Sequence, residues 1–371
     1  MMSKKEFVAR LFRFLKYRRV KQATDKEYKS MSANVEMKKL TNRQKAEAKA
    51  YWKQMLGVNI DTKWHQLAYS ITGVFDKRLI PNDIYVGYIQ PALINYRIKL
   101  AYDDKNVFPK LLPFANHPKK ILQCENGLFY TGEKKILSRE QAIALCQNIE
   151  KALIKPTIAT NSGRNVCMFS VKNGMTNIDG LTVDKLFDRY GINFLIDEFV
   201  KQHPDMARLN PSSLNTLRVV TFRNEDKVYV CHASCRIGKP GNVVDNFAQG
   251  GMECEIDENG RLVEYAYTKV YSDRRTTTHT GVVLKGFQIP GFDKVKEFVT
   301  QAMYAIPQFN VLGFDIAIDE NAEPVFIEYN TNFSNNAFLE SGLLYGKYTD
   351  EVLRFVKKEY ERKLKQGIYI C

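Results

Sequence analysis

The sequence lacks long uninterrupted apolar runs, although 44% of its 371 residues are hydrophobic. A membrane-spanning helix needs about 18 or more apolar residues in succession, and no stretch approaches that length. Near the N-terminus, the segment FVARLFRFLKYRRV is broken by Arg10, Arg13, Lys16 and Arg18, so it has no apolar core of the kind found in a signal peptide. We therefore expect a cytoplasmic protein without a membrane span.

Cysteine and histidine occur without the spacing of a known metal or nucleophile motif. Among the seven cysteines, Cys231 and Cys235 are the closest pair, and their separation is not the two-residue gap of zinc and redox motifs. No Ser-His-Asp or Cys-His pattern, internal repeat or low-complexity segment is visible. The cysteines are therefore expected to be free thiols in a reducing compartment.

Acidic residues are scarce at the N-terminal end. Residues 1–50 contain fifteen Lys or Arg and five Asp or Glu, and so hold +10 of the net charge of +14. Apolar residues recur there at roughly helical spacing: Phe7, Val8, Leu11, Phe12, Phe14 and Leu15. The pattern fits a basic amphipathic helix on an anionic membrane surface, and it also fits a helix docked on the body with its basic residues in solvent. Nucleic acid is less favoured, because the aromatic residues form no stacking platform.

The order of helix-like and strand-like segments along the chain predicts an α+β fold. Residues 1–55 contain no Pro or Gly and are predicted to be helical, and residues 56–104 are predicted to form a small lobe. Strand-like runs follow at 121–130, 151–156, 165–171, 194–200, 216–222, 227–237, 251–257, 262–268, 312–319 and 323–330. Helices are expected near 138–150, 182–189, 292–305 and 347–366. Strands grouped in blocks favour α+β over a doubly wound parallel sheet.

The strongest local signal is LGFDIAIDENAEPVFIEYN, residues 312–330. A hairpin symmetric about 321–322 places Asp315 opposite Glu328, and strand alternation puts Asn330 on the same face. Two carboxylates and an amide among apolar strands are costly without compensation, and Mg²⁺ prefers such oxygen ligands. The alternative is an edge hairpin whose acidic residues lie in solvent.

This hairpin and three preceding motifs carry a family resemblance. The motifs are SSLNTLRVVTF (212–222), SCRIGKPGNVVDNFAQGGMECEID (234–257) and HTGVVLKGFQIPGF (279–292). Together they resemble the sugar-transfer-associated ATP-grasp family of polysaccharide biosynthesis over about residues 100–345. The resemblance implies that two α+β lobes clasp ATP, a small subdomain at 105–200 and a large one at 201–371. It also implies that Asp315, Glu328 and Asn330 bind Mg²⁺, with two ions expected.

The resemblance further implies a nucleotide site between the lobes. Lys155 in ALIKP resembles the strand lysine that contacts the phosphates ahead of a mobile loop containing Gly163, and Lys105 resembles the earlier nucleotide-binding lysine, with Lys110 as its competitor. The run LIDEFV resembles the hinge that reads the adenine edge, which would involve Asp197 or Glu198 and the backbone of Phe199 and Val200.

Arg218 and Arg236 lie on strand-like runs among apolar neighbours, where an arginine usually has a paired anion. They would stabilise the transferring phosphoryl group or hold a substrate carboxylate, or else form structural salt bridges. The sequence departs from D-alanine ligase relatives, which place an arginine two residues before the metal-binding Asp. Here that position is Gly313, and Arg236 is the expected replacement in space.

The implied reaction is ADP-forming ligation through an acylphosphate, with a small-molecule or saccharide carboxylate and an amine or thiol as substrates in capsule or exopolysaccharide assembly. The alternatives are a phosphotransferase acting on a sugar hydroxyl and a non-catalytic module that binds membrane or nucleic acid. The basic segment 1–50 would fit a lipid-linked substrate at the inner membrane surface.

Overall fold

Two seven-stranded antiparallel sheets organise the chain and confirm the predicted α+β class. The computed structural model describes residues 3–158, 165–242, 250–268, 273–331, 333 and 342–367. The smaller sheet has the strand order β3-β2-β1-β7-β4-β5-β6, and the larger one has the order β12-β11-β10-β9-β8-β13-β14. Every strand pair within them is antiparallel, so neither sheet is doubly wound.

The N-terminal part is helical, as predicted. Its helices are α1 (Lys4–Ser32), α2 (Asn42–Leu56), α3 (Lys63–Thr72), α4 (Asn82–Ile84), α5 (Gln90–Leu93), α6 (Tyr96–Tyr102) and α7 (Phe108–Leu111), with a π-helical turn at Tyr85–Ile89 and a 3-10 turn at Lys105–Val107. Thr41 begins α2 with a capping box, and Gly57 ends it in a left-handed conformation. Trp52 and Ile84 are fully buried in the same core as Phe222 of the large sheet.

The small sheet contains β1 (Lys120–Glu125), β2 (Leu128–Thr131), β3 (Ile136–Leu137), β4 (Ile149–Pro156), β5 (Cys167–Lys172), β6 (Met175–Thr176) and β7 (Asn193–Glu198), with helices α8 (Arg139–Leu145) and α9 (Val183–Tyr190). The prediction of one strand over 121–130 is wrong. Asn126 and Gly127 have φ angles of 49° and 85°, so they form a tight turn that divides the run into β1 and β2.

The large sheet contains β8 (Thr216–Asn224), β9 (Lys227–Ile237), β10 (Met252–Ile256), β11 (Leu262–Thr268), β12 (Arg274–Arg275), β13 (Val311–Ile318) and β14 (Pro324–Asn330). The remaining helices are α10 (Pro204–Leu209), α11 (Phe292–Ala305) and α12 (Thr349–Lys365), and a 3-10 turn spans Gly346–Tyr348. The predicted helix at 292–305 has the bounds of α11.

The two faces of the large sheet differ in chemistry. Phe314 packs against Phe298 of α11, so residues that share its face are buried in the core. Asp315 is on the opposite face, in register with Arg218 of β8 and Glu328 of β14. A second polar row on that face runs across four strands and comprises Thr216, Arg236, Glu253 and Tyr267. Strand alternation thus collects the polar side chains on one face.

Candidate functional site

The acidic hairpin has the predicted pairing at the end away from its turn. Asp315 lies opposite Glu328, and Gly313 lies opposite Asn330. Asn330 Nδ2 donates a hydrogen bond of 3.2 Å to Asp315 Oδ2. The symmetric register is wrong towards the turn, because a β-bulge after Asp315 shifts the following pairs by one residue. The bulge leaves the three predicted metal ligands on one face.

Asp315 is 3% exposed and is held by two arginines. Arg218 Nε and Nη2 lie 2.6 and 3.0 Å from its two carboxylate oxygens, and Arg236 Nη1 lies 3.2 Å from Oδ2. Burial alone would raise the pKa of Asp315, but the two guanidinium charges and the hydrogen bonds from Arg218 and Asn330 hold that pKa below its ordinary value. The alternative of an edge hairpin with its acidic residues in solvent therefore does not hold for Asp315. The edge strand is β14, whereas Asp315 is buried on the neighbouring strand β13.

Gly313 explains how Arg218 reaches the carboxylate. A Cβ atom built at position 313 would lie 3.4 Å from Arg218 Cδ and 3.2 Å from the Phe333 ring. The side chain of Arg218 therefore runs over the glycine, in space that a larger residue at 313 would occupy. Arg236 also reaches Asp315, so the expectation that it replaces the missing arginine in space stays a prediction, while Arg218 is the arginine next to Gly313.

Lys105 connects the small sheet to the acidic hairpin. Its backbone N–H donates to Thr157 O at 3.1 Å, directly after β4. Its Nζ lies 3.0 Å from Glu328 Oε2, and both side chains are mostly buried. Lys110, the competing lysine, lies on α7. The pairing brings one predicted nucleotide lysine to a predicted metal ligand.

Asp197 is the centre of a second charged group, on β7. It is 1% exposed, and its carboxylate lies 2.9 Å from Lys155 Nζ and 3.2 Å from Lys120 Nζ. Burial and the nearby Lys155 charge lower the pKa of Lys120, although Asp197 acts in the opposite direction. Because two lysines share one carboxylate, the group has a net positive charge and can bind phosphate oxygens.

Lys120 is a residue that the sequence interpretation missed. It follows Lys119, and a pair of adjacent lysines before a strand is typical of a solvent-exposed surface. Lys119 does point outward, where it pairs with the exposed Glu198 at 2.7 Å. Alternation along β1 turns Lys120 the other way, opposite Asp197. In the sequence, the only signal for Lys120 was that two consecutive lysines stand at the start of a strand.

The predicted hinge lies where the chain passes from one sheet to the other. After β7 ends at Glu198, Phe199 and Val200 are half-buried, and His203 N donates to Ile318 O in the large sheet at 2.9 Å. The Phe199 ring packs against Lys151, whose Nζ is 3.6 Å from the ring centroid. The two candidate acids differ, since Asp197 is buried and Glu198 is exposed. Gly163 lies outside the described residues.

The donor chemistry of the hairpin suits a hard cation. Within the described ranges, no three His, Cys, Asp or Glu side chains gather closely enough to hold a metal ion by themselves. Asp315, Glu328 and Asn330 instead provide two carboxylates and an amide on one face. Mg²⁺ needs only one or two carboxylates when phosphates complete its coordination, so this set fits Mg²⁺ better than zinc.

Comparison with known families decides the assignment. A sequence profile described as "Sugar-transfer associated ATP-grasp" matches residues 88–342. The chain belongs to this ATP-grasp family. Its two antiparallel sheets with flanking helices have the ATP-grasp fold. The predicted resemblance is thereby confirmed, and α1 to α4 precede the matched region.

Several solved structures are similar to this ATP-grasp chain. An L-amino acid ligase from Bacillus licheniformis is 11% identical with a TM-score of 0.34, over 62% of this chain and 40% of that protein. The ATP-grasp ligase PsnB, complexed with a precursor peptide and AMPPNP, is 12% identical with a TM-score of 0.40, over 71% and 61%. D-alanine–D-alanine ligase from Bacillus anthracis is 11% identical with a TM-score of 0.37, over 71% and 69%. The curated proteins contain no match to this sequence.

Proposed function

We propose that this ATP-grasp protein is an ADP-forming ligase that activates a carboxylate with ATP and Mg²⁺ and joins it to an amine or a thiol. The observation that carries the proposal is the pairing of Asp315 with Glu328 beside Asn330, with Lys105 linking the hairpin to the small sheet. The acceptor proposed is a saccharide or sugar-linked carboxylate, in keeping with the sugar-transfer association in the family description, and capsule or exopolysaccharide assembly is the proposed setting.

In the proposed reaction, a substrate carboxylate oxygen bonds to the γ-phosphorus of ATP while the bond to the β-phosphate oxygen breaks, which gives ADP and an acylphosphate. The amine then bonds to the acyl carbon, loses a proton, and releases inorganic phosphate. Asp315, Glu328 and Asn330 would hold Mg²⁺, which would neutralise charge on the phosphates. In this scheme the enzyme need not supply a nucleophile, so its task is to position the reactants and to stabilise charge.

Each charged group has a role in this scheme. Lys120 and Lys155 share Asp197, so they offer a net positive charge to the α- and β-phosphates. Arg236 and Arg218 lie on the hairpin side, where negative charge develops on the transferring phosphoryl group. The backbone of Phe199 and Val200 is proposed to face the adenine.

Exchange of Glu328 for glutamine tests the proposed metal site. The wild type is expected to bind ATP more tightly with Mg²⁺ than without it, and Glu328→Gln is expected to weaken Mg·ATP binding about ten-fold because a ligand charge is lost. Isothermal titration calorimetry with and without Mg²⁺ measures this. The control is Glu320→Gln, an exposed acid in the turn of the same hairpin. A folded wild type that binds no ATP at any Mg²⁺ concentration would refute the proposal.

A product assay separates the ligase from the phosphotransferase alternative. A ligase releases ADP with free phosphate, whereas a sugar kinase releases ADP with a phosphorylated sugar. The carboxylate, the amine and the saccharide can then be identified by screening substrates for free phosphate release.

We also propose that α1 contacts an anionic membrane surface. Its inner face is docked: Arg13 lies 4.5 and 4.2 Å from the Tyr88 and Tyr360 rings, and Tyr17 Oη donates to Asp83 at 2.6 Å. Its outer face exposes five large apolar side chains by 47–58%: Phe7, Leu11, Phe12, Phe14 and Leu15. Exposed basic residues lie among them, namely Lys4, Lys5, Arg18 and Arg19. Apolar and basic groups on one outward face favour the inner membrane surface.

This surface contact predicts selective vesicle binding. The triple variant Phe7→Gln, Leu11→Gln, Phe14→Gln is expected to bind phosphatidylglycerol vesicles at least ten-fold more weakly than the wild type, because the apolar side chains no longer enter the interface. Cosedimentation measures binding, and phosphatidylcholine vesicles test the charge requirement. The control is Leu100→Gln with Ile136→Gln, which are 80% and 72% exposed elsewhere on the molecule. Equal binding by the triple variant would exclude α1 as the contact.

Point substitutions are needed because α1 and α2 cannot be removed cleanly. Trp52 of α2 and Ala9 of α1 are buried in the main core, and Arg10 pairs with Glu361 of α12 at 2.9 Å. Deletion of residues 1–50 would uncover that core and alter stability together with any membrane contact. Within the described residues, no helix combines the length and apolarity needed to cross a bilayer.

A further inference from the structure

A cavity of about 370 Å³ lies between the N-terminal helices and the β11–β12 end of the large sheet. Its lining comes from three parts of the chain. Helix α3 and the segment after it contribute His65, Thr72, Asp76 and Leu79, the sheet contributes Tyr267 and Arg274, and Gly342 and Leu343 complete it. Small-ligand pockets usually measure about 300–1,000 Å³, so this one has room for a single ring-sized group.

Strand register places this cavity on the face of the sheet that carries the proposed catalytic arginines. Arg274 pairs with Tyr267, Tyr267 pairs with Glu253, and Glu253 pairs with Arg236. Directly opposed residues of neighbouring strands point to the same face. Arg274 is therefore three strands from Arg236, about 14 Å at roughly 4.8 Å per strand.

Arg274 supplies the positive charge of the cavity. Its guanidinium carbon lies 5.9 and 5.7 Å from the Tyr265 and Tyr267 rings, and Nη2 donates to Ile71 O at 2.8 Å. Among the residues that the structure describes, no carboxylate forms an ion pair with it. The adjacent Arg275, in contrast, pairs with Asp273 at 2.7 Å.

The other titratable groups of the cavity leave this positive charge uncancelled. The Asp76 carboxylate is engaged by Arg78 at 2.8 Å. His65 is 2% exposed, and burial lowers its pKa to about 4, so the ring is neutral at pH 7. An arginine in contact with two tyrosine rings beside a small cavity is suited to a planar or tetrahedral anion, and the Tyr267 ring, which lines the cavity, is suited to the apolar face of a sugar.

We propose that Arg274, with Tyr267, binds an anionic sugar of the acceptor substrate, one that bears a carboxylate or a phosphate, about 14 Å from the phosphoryl-transfer arginines. This inference rests on the proposed ligase function. It adds that the acceptor is extended, with one end at Arg236 and an anionic ring anchored at Arg274. Residues 65–79, which line the cavity, precede the segment that the family profile matches, so selectivity for the acceptor lies partly outside that segment.

Binding of three related sugars tests this site. D-glucuronate, glucose 6-phosphate and glucose are titrated into the full chain by saturation-transfer NMR or calorimetry. At least one anionic sugar is expected to bind tighter than glucose, and Arg274→Gln is expected to weaken that binding about ten- to hundred-fold, since hydrogen bonds between charged groups are lost. Preference between glucuronate and glucose 6-phosphate identifies the anion. Equal binding of all three sugars, or none at millimolar concentration, would overturn the proposal.

Two further variants separate binding from folding. Arg275→Gln changes the neighbouring arginine on the same strand and is expected to leave sugar binding unchanged. Tyr267→Leu keeps both arginines and is expected to weaken sugar binding, because the proposed contact between the ring and the sugar is lost. Mg·ATP binding is measured on every variant. If Mg·ATP does not bind but glucuronate binding depends on Arg274, the ligase proposal fails while the anion site stands. If Mg·ATP binds and the sugars do not, the anion site fails while the ligase proposal stands.

Discussion

Replacement of Asp315 by asparagine is expected to lower the free energy of unfolding by about 3–5 kcal/mol without nucleotide. The carboxylate is almost fully buried, and it neutralises Arg218 and Arg236, whose side chains are only 17% and 14% exposed. An amide keeps the shape of the side chain but removes the negative charge that both largely buried guanidinium groups contact. Urea denaturation followed by circular dichroism measures the loss.

A matched substitution in the same hairpin controls for this effect. Glu323 pairs with Lys294, and both side chains are 49% exposed. Exposed ion pairs contribute about 0–1 kcal/mol, so Glu323→Gln is expected to change stability by less than that amount. A variant Asp315→Asn as stable as the wild type would mean that the arginines find other partners, and the buried cluster would then not depend on Asp315.

The acidic hairpin could be predicted because its information is local. Two apolar runs joined by a short polar turn fix which residues face each other, and Asp315 does lie opposite Glu328. The β-bulge was not predictable, since it depends on how the turn at Asp319 closes: Asp319 Oδ1 accepts hydrogen bonds from the backbone N–H groups of Asn321 and Glu323. Helix α11 was likewise predicted with its bounds, because its apolar spacing and Gly291 start are local too.

Contacts between distant segments were not predictable from pattern alone. Arg218 and Asp315 are 97 residues apart, and only the β8–β13 register shows that they share a face. Lys120 was missed for the same reason, because its partner Asp197 is reached through the β1–β7 pairing. The division into four segments and the roles of the site residues stay predictions, which the proposed variants can test.

Helix α1 illustrates a different limit. Its periodicity predicted a helix, and residues 4–32 do form one. The sequence left open whether the apolar side chains face the body. In the structure, the guanidinium of Arg13 packs on the Tyr88 and Tyr360 rings at the face of α1 that contacts the body. A cationic side chain therefore faces the body, and the phenylalanines of α1 face outward. Hydrophobic pattern alone cannot reveal such an inverted arrangement, because a basic residue usually faces solvent.

Replacement of Arg236 by glutamine is expected to slow ADP release at saturating Mg·ATP by about 10²–10³-fold, the usual cost of removing one donor to developing charge. Arg236 donates to Asp315 Oδ2 at 3.2 Å, a longer bond than the two from Arg218 at 2.6 and 3.0 Å, so its loss leaves the shorter Arg218 pair in place. The Kd for Mg·ATP is therefore expected to change little, which places the effect on the transition state. Steady-state ADP release and calorimetry on the same preparation measure the two quantities.

The matched variant is Arg218→Gln, which separates a catalytic arginine from a structural one. Arg218 binds both oxygens of Asp315 and lies over Gly313, so its loss is expected to destabilise the fold more than the loss of Arg236. If Arg236 stabilises the phosphoryl group, Arg236→Lys should restore part of the rate, because a cation remains within reach. If instead Arg236→Gln keeps the full rate while Arg218→Gln folds and loses it, the two roles are exchanged, and the arginine over Gly313 performs the catalytic work.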